Sequence, residues 1–325
     1  MTEVPLRRLV EAAIAAPSVH NVQPARWRIE GDALLLLEDM SRRLAVGDPT
    51  GNDAAISLGA AAEGLRLAAS RAGLAAIESR SELPAATGAL RPVARFRFEP
   101  GAANDPLAEW LEQRASWRGN FLPPTEADRT AAATLEADDA RVATEPAALA
   151  ALARDFDRAS YGFTRRSDFR GELRSWMRLG RSHPLWSHDG LNADAMALSR
   201  VEALGAGLVL GPLFVSLDKL GLARTLLAEG GKVERGAAVV LFHRPVDEDP
   251  YESGRHFHRL WLAIERAGFG AAVLAALADD REAAREIIAA YGIPPGRRLV
   301  SAFRIGRRAG PGYPRARLPL SSVLV

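Results

Sequence analysis

Hydrophobic positions recur along this chain with two periods, and the switches between them outline the elements. Leu6, Leu9, Val10 and Ala13 fall at helical spacing, with Arg7, Arg8 and Glu11 between them, so a helix is expected over residues 4–15. Pro17 ends it. Trp27 and Ile29 then alternate with Arg26 and Arg28, Gly31-Asp32 marks a turn, and residues 33–37 make the return strand of a hairpin. A loop over residues 48–52 leads into a helix over 53–72, whose Gly59, Ala60 and Ala61 allow another helix to approach closely. Ala94, Phe96 and Phe98 alternate with Arg95 and Arg97 as a half-buried strand, and residues 99–106 read as a linker.

From residue 106 to about 160 the chain is Ala-rich and expected to be helical; 169–180 predicts another helix, and 181–192, with Pro184 and Gly190, a long loop. The uncharged run from Ala203 to Leu217 is too short to span a bilayer and is expected to be buried. A continuous apolar run over 236–243 predicts a central strand, and Phe257, Leu260, Trp261 and Ile264 form one stripe of a helix over 253–267. A helix over 282–291, a strand over 299–305 and an extended C-terminal arm complete the outline. Helices and strands do not alternate regularly. The expected class is therefore α+β with mainly antiparallel sheets, not a doubly wound parallel sheet.

Composition narrows the chemistry. A length of 325 residues suggests two domains. With 48% hydrophobic and 25% charged residues, the chain is an ordinary globular protein. It has no cysteine, which excludes disulfides, thiolate nucleophiles, iron–sulfur clusters and cysteine-ligated zinc. A net charge of +2 is too small and too diffuse for a nucleic-acid partner. Met1-Thr2-Glu3-Val4-Pro5 shows no apolar run behind basic residues, so the expected location is the cytoplasm, with no membrane partner. Lys219 and Lys232 are the only lysines; the remaining basic residues are arginines, whose planar forks suit phosphate or carboxylate.

Three segments concentrate polar chemistry: Ala16-Pro17-Ser18-Val19-His20-Asn21-Val22-Gln23-Pro24, Arg114-Ala115-Ser116-Trp117-Arg118-Gly119-Asn120-Phe121 and Pro314-Arg315-Ala316-Arg317-Leu318-Pro319. Read singly, the first is accounted for by helix termination and turn formation, the others by solvated arginine. Taken together, the set resembles the nitroreductase family of flavoproteins. The first segment is similar to that family's Pro-Ser-x-x-Asn-x-Gln-Pro-Trp loop, the second to its Arg-x-Ser-x-Arg motif, and the third to its C-terminal Lys/Arg-x-Arg-x-Pro arm. In the ordinary family Arg-x-Ser-x-Arg precedes the Pro-Ser loop; here it follows by nearly a hundred residues. That order resembles the single-chain branch, which includes the mycobacterial Acg-like proteins. In that branch two modules are fused, and one chain supplies both halves of an FMN site that ordinary members build between two subunits.

The resemblance implies a fused pseudo-dimer of two nitroreductase-like modules, residues 1–104 (incomplete) and 105–325, with FMN at their interface. Arg114, Ser116, Arg315 and Arg317 would hold the phosphate, and Arg118 would lie near flavin N1/O2. Pro17, Ser18, Val19, His20, Asn21 and Gln23 would contribute from the first module. A backbone N–H near N5 would come from Ala275 or Ala276. The implied activity is ping-pong hydride transfer from NAD(P)H through FMN to a small aromatic or conjugated acceptor, with no catalytic side chain and no metal. A monomer suffices for the site, which leaves a homodimer open. The alternative is a protein that sequesters FMN under a lid, for which residues 181–192, with Trp186 and His188, are the candidate. Departures are Ala25 in place of the aromatic residue after Gln-Pro, Ala275 in place of an acid, and no Arg-x-Ser-x-Arg in the first module, so one FMN per chain is expected.

Other motifs are weaker. Gly205-Ala206-Gly207 with Gly211 follows no predicted strand and lacks a downstream acid, which favours helix packing over dinucleotide binding. His256 and His258 point apart on a helix, and His183 and His188 share only Asp189 as a companion. No Gly-x-Ser-x-Gly elbow is present.

Overall fold

Where alternation and turn residues coincide, the hairpin forms as expected. In the computed structural model, which describes residues 3–325, β1 (Ala25–Glu30) pairs antiparallel with β2 (Ala33–Asp39). Gly31 in the turn takes φ +64°, a left-handed conformation that costs glycine little. With β3 (Leu74–Ser79) and β4 (Leu90–Pro100) these strands form an antiparallel sheet in the order β1-β2-β4-β3. A second antiparallel sheet runs β5-β8-β10-β9, from β5 (Ala140–Ala143), β8 (Ala238–Pro245), β9 (Gly270–Val273) and β10 (Arg297–Gly306). A short parallel pair, β6 (Met177–Arg178) and β7 (Leu191–Asn192), lies outside both.

The helices are α1 (Glu3–Ala13), α2 (Asn52–Arg71), α3 (Glu126–Ala133), α4 (Pro146–Arg165), α5 (Ser167–Ser175), α6 (Arg200–Val209), α7 (Phe214–Lys219), α8 (Leu222–Leu226), α9 (Gly230–Glu234), α10 (Pro250–Arg266), α11 (Ala276–Asp279), α12 (Arg281–Ala290) and α13 (Leu320–Val323). The class is α+β with antiparallel main sheets flanked by helices. One core packs α1 and α2 on the first sheet around Leu6, Val10, Trp27, Leu34, Leu65 and Phe96. A second packs α10 on the second sheet, with Phe257 and Trp261 against Phe303 at ring-centroid distances of 5.0 and 5.1 Å, and a third gathers Leu149 and Leu152 of α4 and Ile287 of α12 with Val239 and Leu241 of β8.

The two sheets repeat one order, and in chain order α2 stands between β2 and β3 as α10 stands between β8 and β9. The two helices cross through a reciprocal contact. A Cβ on Gly59 would lie 1.8 Å from the Tyr251 carbonyl oxygen, and one on Gly254 would lie 2.1 Å from the Ile56 carbonyl oxygen. Each glycine thus faces the carbonyl three residues before the other, an approximate twofold relation. The small residues of α2 do what their composition suggests: they bring the two backbones into contact. At the other end of the chain, Leu324 bridges to Trp27 and the Val325 amide donates to the Trp27 carbonyl at 2.9 Å, so the arm returns to the first sheet.

Three expectations fail. Residues 106–160 are not continuously helical. Residues 114–122 run extended beside β9 and β10, held by the Trp117 amide on the Ala271 carbonyl (2.7 Å) and the Leu122 amide on the Arg307 carbonyl (2.8 Å), and β5 interrupts the rest. β3 and β9 are strands that alternation did not signal. The Ala203–Leu217 run is buried only at Ala203, Leu210 and Phe214: Leu204, Leu208, Leu213 and Val215 are exposed on α6, α7 and the turn between them. These helices pack outside both sheets, so apolar composition did not translate into burial.

Candidate functional site

The loop after α1 is strained and pinned. His20, Asn21 and Gln23 take φ of 46, 56 and 51°, in the left-handed region that side chains other than those of glycine adopt at a cost. Hydrogen bonds hold it there. Ser18 Oγ accepts from the Gln23 amide at 2.9 Å. Gln23 Nε2 donates to the His188 carbonyl (2.8 Å), and its Oε1 accepts from the Leu318 amide (2.9 Å). Asn21 Nδ2 donates to the carbonyls of Gly190 (3.2 Å) and Ala316 (3.1 Å). Pro17 is buried, and Val19 is half-buried at the start of a single 3-10 turn.

Arginines converge on the C-terminal end of α1. Arg114 Nη2 donates to the Ala15 carbonyl at 2.6 Å, and Arg317 Nη2 reaches the same oxygen at 3.3 Å; a helix C-terminus favours cations. Arg317 Nη1 also donates to Asn21 Oδ1 at 2.7 Å. Arg114 is 1% exposed and lies over the Trp261 ring, 4.6 Å from its centroid. Arg315 donates back to the carbonyls of Glu112 and Arg114. Burial, and then the charges of Arg317 and Arg315, hold the Arg114 guanidinium well below its usual range. Burial and the Arg315 charge bring Arg317 down to about 10. The Nε atoms of both Arg114 and Arg317 are buried without a partner. This is a cluster of like charges with unused donors, and an anion would relieve both its repulsion and its unmet hydrogen bonds.

Ser116 sits on the extended segment, its backbone bridged to Ala271 of β9. Arg304 fixes the next turn by donating to the carbonyls of Trp117 and Gly119. Burial lowers the Arg118 pKa, and the Glu229 carboxylate partly restores it. His20 is held down to about 4 by burial and by the Arg118 charge, against Glu172, so its ring is neutral near pH 7. Glu172 in turn accepts from the amides of Val46 (3.0 Å) and Gly47 (2.7 Å). The first loop, Arg114, Arg315 and Arg317 are therefore linked by bonds, and Arg118 joins through His20. Ala275 and Ala276 open α11 just beyond β9, where amides of a helix's first turn lack intrahelical acceptors. None of their bonds reaches the first loop.

Sequence reasoning missed several neighbours. Burial raises the carboxyl groups of Asp53, at the start of α2, and Asp279, at the end of α11; the charges of Asp279 and Asp48 add to the rise at Asp53, and that of Asp48 to the rise at Asp279. The two lie 226 residues apart in sequence, and only the fold brings them together. Glu172 and Glu229 were equally silent. Residues 187–190, within the 181–192 loop, meet the first loop and the C-terminal arm. The Gly190 amide donates to the Asn21 carbonyl (3.3 Å), and the Arg317 amide donates to the Ser187 carbonyl (3.0 Å). Buried Asp189 anchors the segment between Arg178 (2.8 Å) and Arg42. The rings of His183 and His188 make only local hydrogen bonds, and no group of three or more acidic or histidine side chains among the described residues could hold a metal ion. No helix among them is long and apolar enough to cross a membrane.

No family model matches the chain. Over 79 residues it is 35% identical to a protein named "Putative NAD(P)H nitroreductase acg" in two strains of Mycobacterium tuberculosis. That stretch is 24% of this chain, and the chain spans 24% of the length of these curated relatives. Among solved structures, a nitroreductase of Anabaena variabilis aligns at 10% identity with a TM-score of 0.49, covering 94% of this chain and 88% of the other. A Bacteroides fragilis nitroreductase with bound FMN aligns at 12% identity with a TM-score of 0.35, covering 63% and 90%. The motif set and the 79-residue match point to the same family, the nitroreductases.

Proposed function

We propose that this chain is an FMN-dependent oxidoreductase of the nitroreductase type, taking hydride from NAD(P)H and passing it to a small aromatic or conjugated acceptor. The observation that carries the reading is the buried pair Arg114 and Arg317, each with an orphaned Nε, beside the Ala15 carbonyl. The donor set fits a phosphate: guanidinium forks and unspent N–H groups, with the nearby Glu265 carboxylate bonded to Arg308 and only partly offsetting the charge of Arg114 and Arg315. FMN, when bound, would supply two-electron hydride exchange, which suits a chain without cysteine and with two lysines. Arg315 would complete the phosphate grip from the rim, and Ser116 would add a hydroxyl. Arg118 would place a cation beside the N1/O2 edge, with Glu229 keeping it charged. Pro17, Ser18, Val19, His20, Asn21 and Gln23 would shape the wall facing the ring, with neutral His20 leaving the local charge to Arg118. An amide of Ala275 or Ala276 would serve N5. The site would lie between modules spanning residues 1–104 and 105–325, and one chain would be enough to build it.

Anaerobic mixing of the purified protein with NADH or NADPH, followed by flavin absorbance, tests the activity. Bleaching by either supports it. A second reading, FMN sequestration, is favoured by the hydrogen bonds that fasten His188 and Gly190 onto the first loop and Ser187 onto the C-terminal arm. Under that reading bleaching is very slow and accelerates when residues 181–192 are replaced by a short Gly-Ser link. Failure of both proteins to bleach contradicts the oxidoreductase.

A further inference from the structure

The approximate twofold has an unequal consequence at the C-terminal ends of α2 and α10. On one side, the end of α10 and the start of β9 are covered by residues 114–117: the Ala115 amide donates to Glu265 (3.3 Å), and Trp117 and Arg114 fill the space over Gly270 and Trp261. On the other side, the end of α2 and the start of β3 are covered by the linker. There the Asp105 amide donates to Ser70 Oγ (3.2 Å), and the Gly101 amide to the Gly73 carbonyl (2.9 Å). Ser70 precedes the last residue of α2 as Glu265 precedes the last residue of α10. The linker borders this end with Ala102, Ala103 and Asn104, smaller side chains than the Arg114 and Trp117 that cover the other. A recess of about 520 Å³ remains open, within the size range of small-ligand pockets.

Its polar lining is cationic. Arg66, Arg259 and Arg266 border it, together with Ser70 and Asp105. Glu63 and Asp105 engage one edge each of Arg66 and Arg259. Among the described residues, Arg66 Nη1, Arg259 Nε and Nη2, and the exposed Arg266 guanidinium make no hydrogen bond. The remaining wall is short and apolar, from Leu74, Ala75 and Ala76. We propose that this recess is a second ligand site, separate from the Arg114–Arg317 cluster, for a small organic anion: a carboxylate or phosphate head held by the arginines, and a compact apolar body against β3.

Calorimetric titration of the purified full-length protein with benzoate and with phenyl phosphate tests this, the two probes deciding which head the arginines take. Saturable binding of at least one probe, one molecule per chain, is expected. Arg266→Ser is expected to weaken it about ten-fold, the effect of one charge-assisted hydrogen bond. Ala103→Trp is expected to abolish it by filling the recess, and Arg281→Ser, an exposed charge elsewhere, to leave it unchanged. Absence of saturable binding by both probes overturns the proposal. So does binding that Arg266→Ser leaves unchanged, which would move the anion to the arginines beside Ala15. Flavin absorbance of the same samples reports separately on the other site.

Discussion

Two guanidinium groups pressed together in a protein interior repel each other and forfeit hydration, so Arg114 and Arg317 mark a place where the fold anticipates a negative partner. Arg317→Ala is expected to weaken FMN binding by roughly ten- to a hundred-fold, the range for hydrogen bonds to a charged group. Arg8→Ala, on the exposed face of α1, is expected to change nothing. Quenching of flavin fluorescence on titration measures both. His20 gives a pH prediction. With its pKa brought down to about 4 by burial and Arg118, its ring resonances are expected to stay constant from pH 8 to 5 and to move only in more acid solution. Because the unfolded ring takes up its proton first, near its ordinary value of 6.5, His20 costs the folded state nothing above that pH and destabilises it progressively as pH falls toward 4. Of the site, the arginines and the Pro-Ser loop were legible because their motifs are contiguous. Asp53 with Asp279, and Glu229 with Arg118, were not, because pairing across long sequence separation leaves no local pattern.

The α2–α10 crossing is the element on which the arrangement turns. Gly59→Ala or Gly254→Ala would drive a methyl into a backbone carbonyl that cannot swing aside, and each is expected to destabilise the protein by about 3 kcal/mol or more, read from chemical denaturation. Glu63 of α2 is 1% exposed and tied to Arg66 and Arg259. Burial alone would raise its pKa, but those ion pairs outweigh burial and bring it down to about 2. Its contribution is therefore complete above its ordinary value of 4.5 and is lost as pH falls from there toward 2. Glu63→Gln is expected to lower stability at pH 7 and to flatten the acid limb of the stability curve. Periodicity found α2, α10, the hairpin and β8 because each is long or strictly patterned. It missed β9, only four residues of Gly, Ala and Val, and β5, four residues inside an Ala-rich stretch. It also misjudged the 203–217 run, since hydrophobicity specifies burial only when the topology supplies something to bury against.

At the scale of the whole molecule, one chain carries two sheets of the same order joined through paired glycines, and an arm from the second half returns to the first. The consequence is asymmetry. The Pro-Ser loop belongs to the first half, and the arginines to the extended segment and arm that follow it, so the polar groups gather once and not twice. The C-terminal end of α2 is bordered by Ala102 and Ala103 and keeps an open recess instead. Under the proposed function, that count predicts a single flavin per chain. Purified full-length protein is therefore to be denatured in acid and its released flavin identified by mass and quantified by absorbance against protein concentration. One FMN per chain is the predicted result; colourless protein that cannot be reconstituted with FMN, or two flavins per chain, would contradict the account.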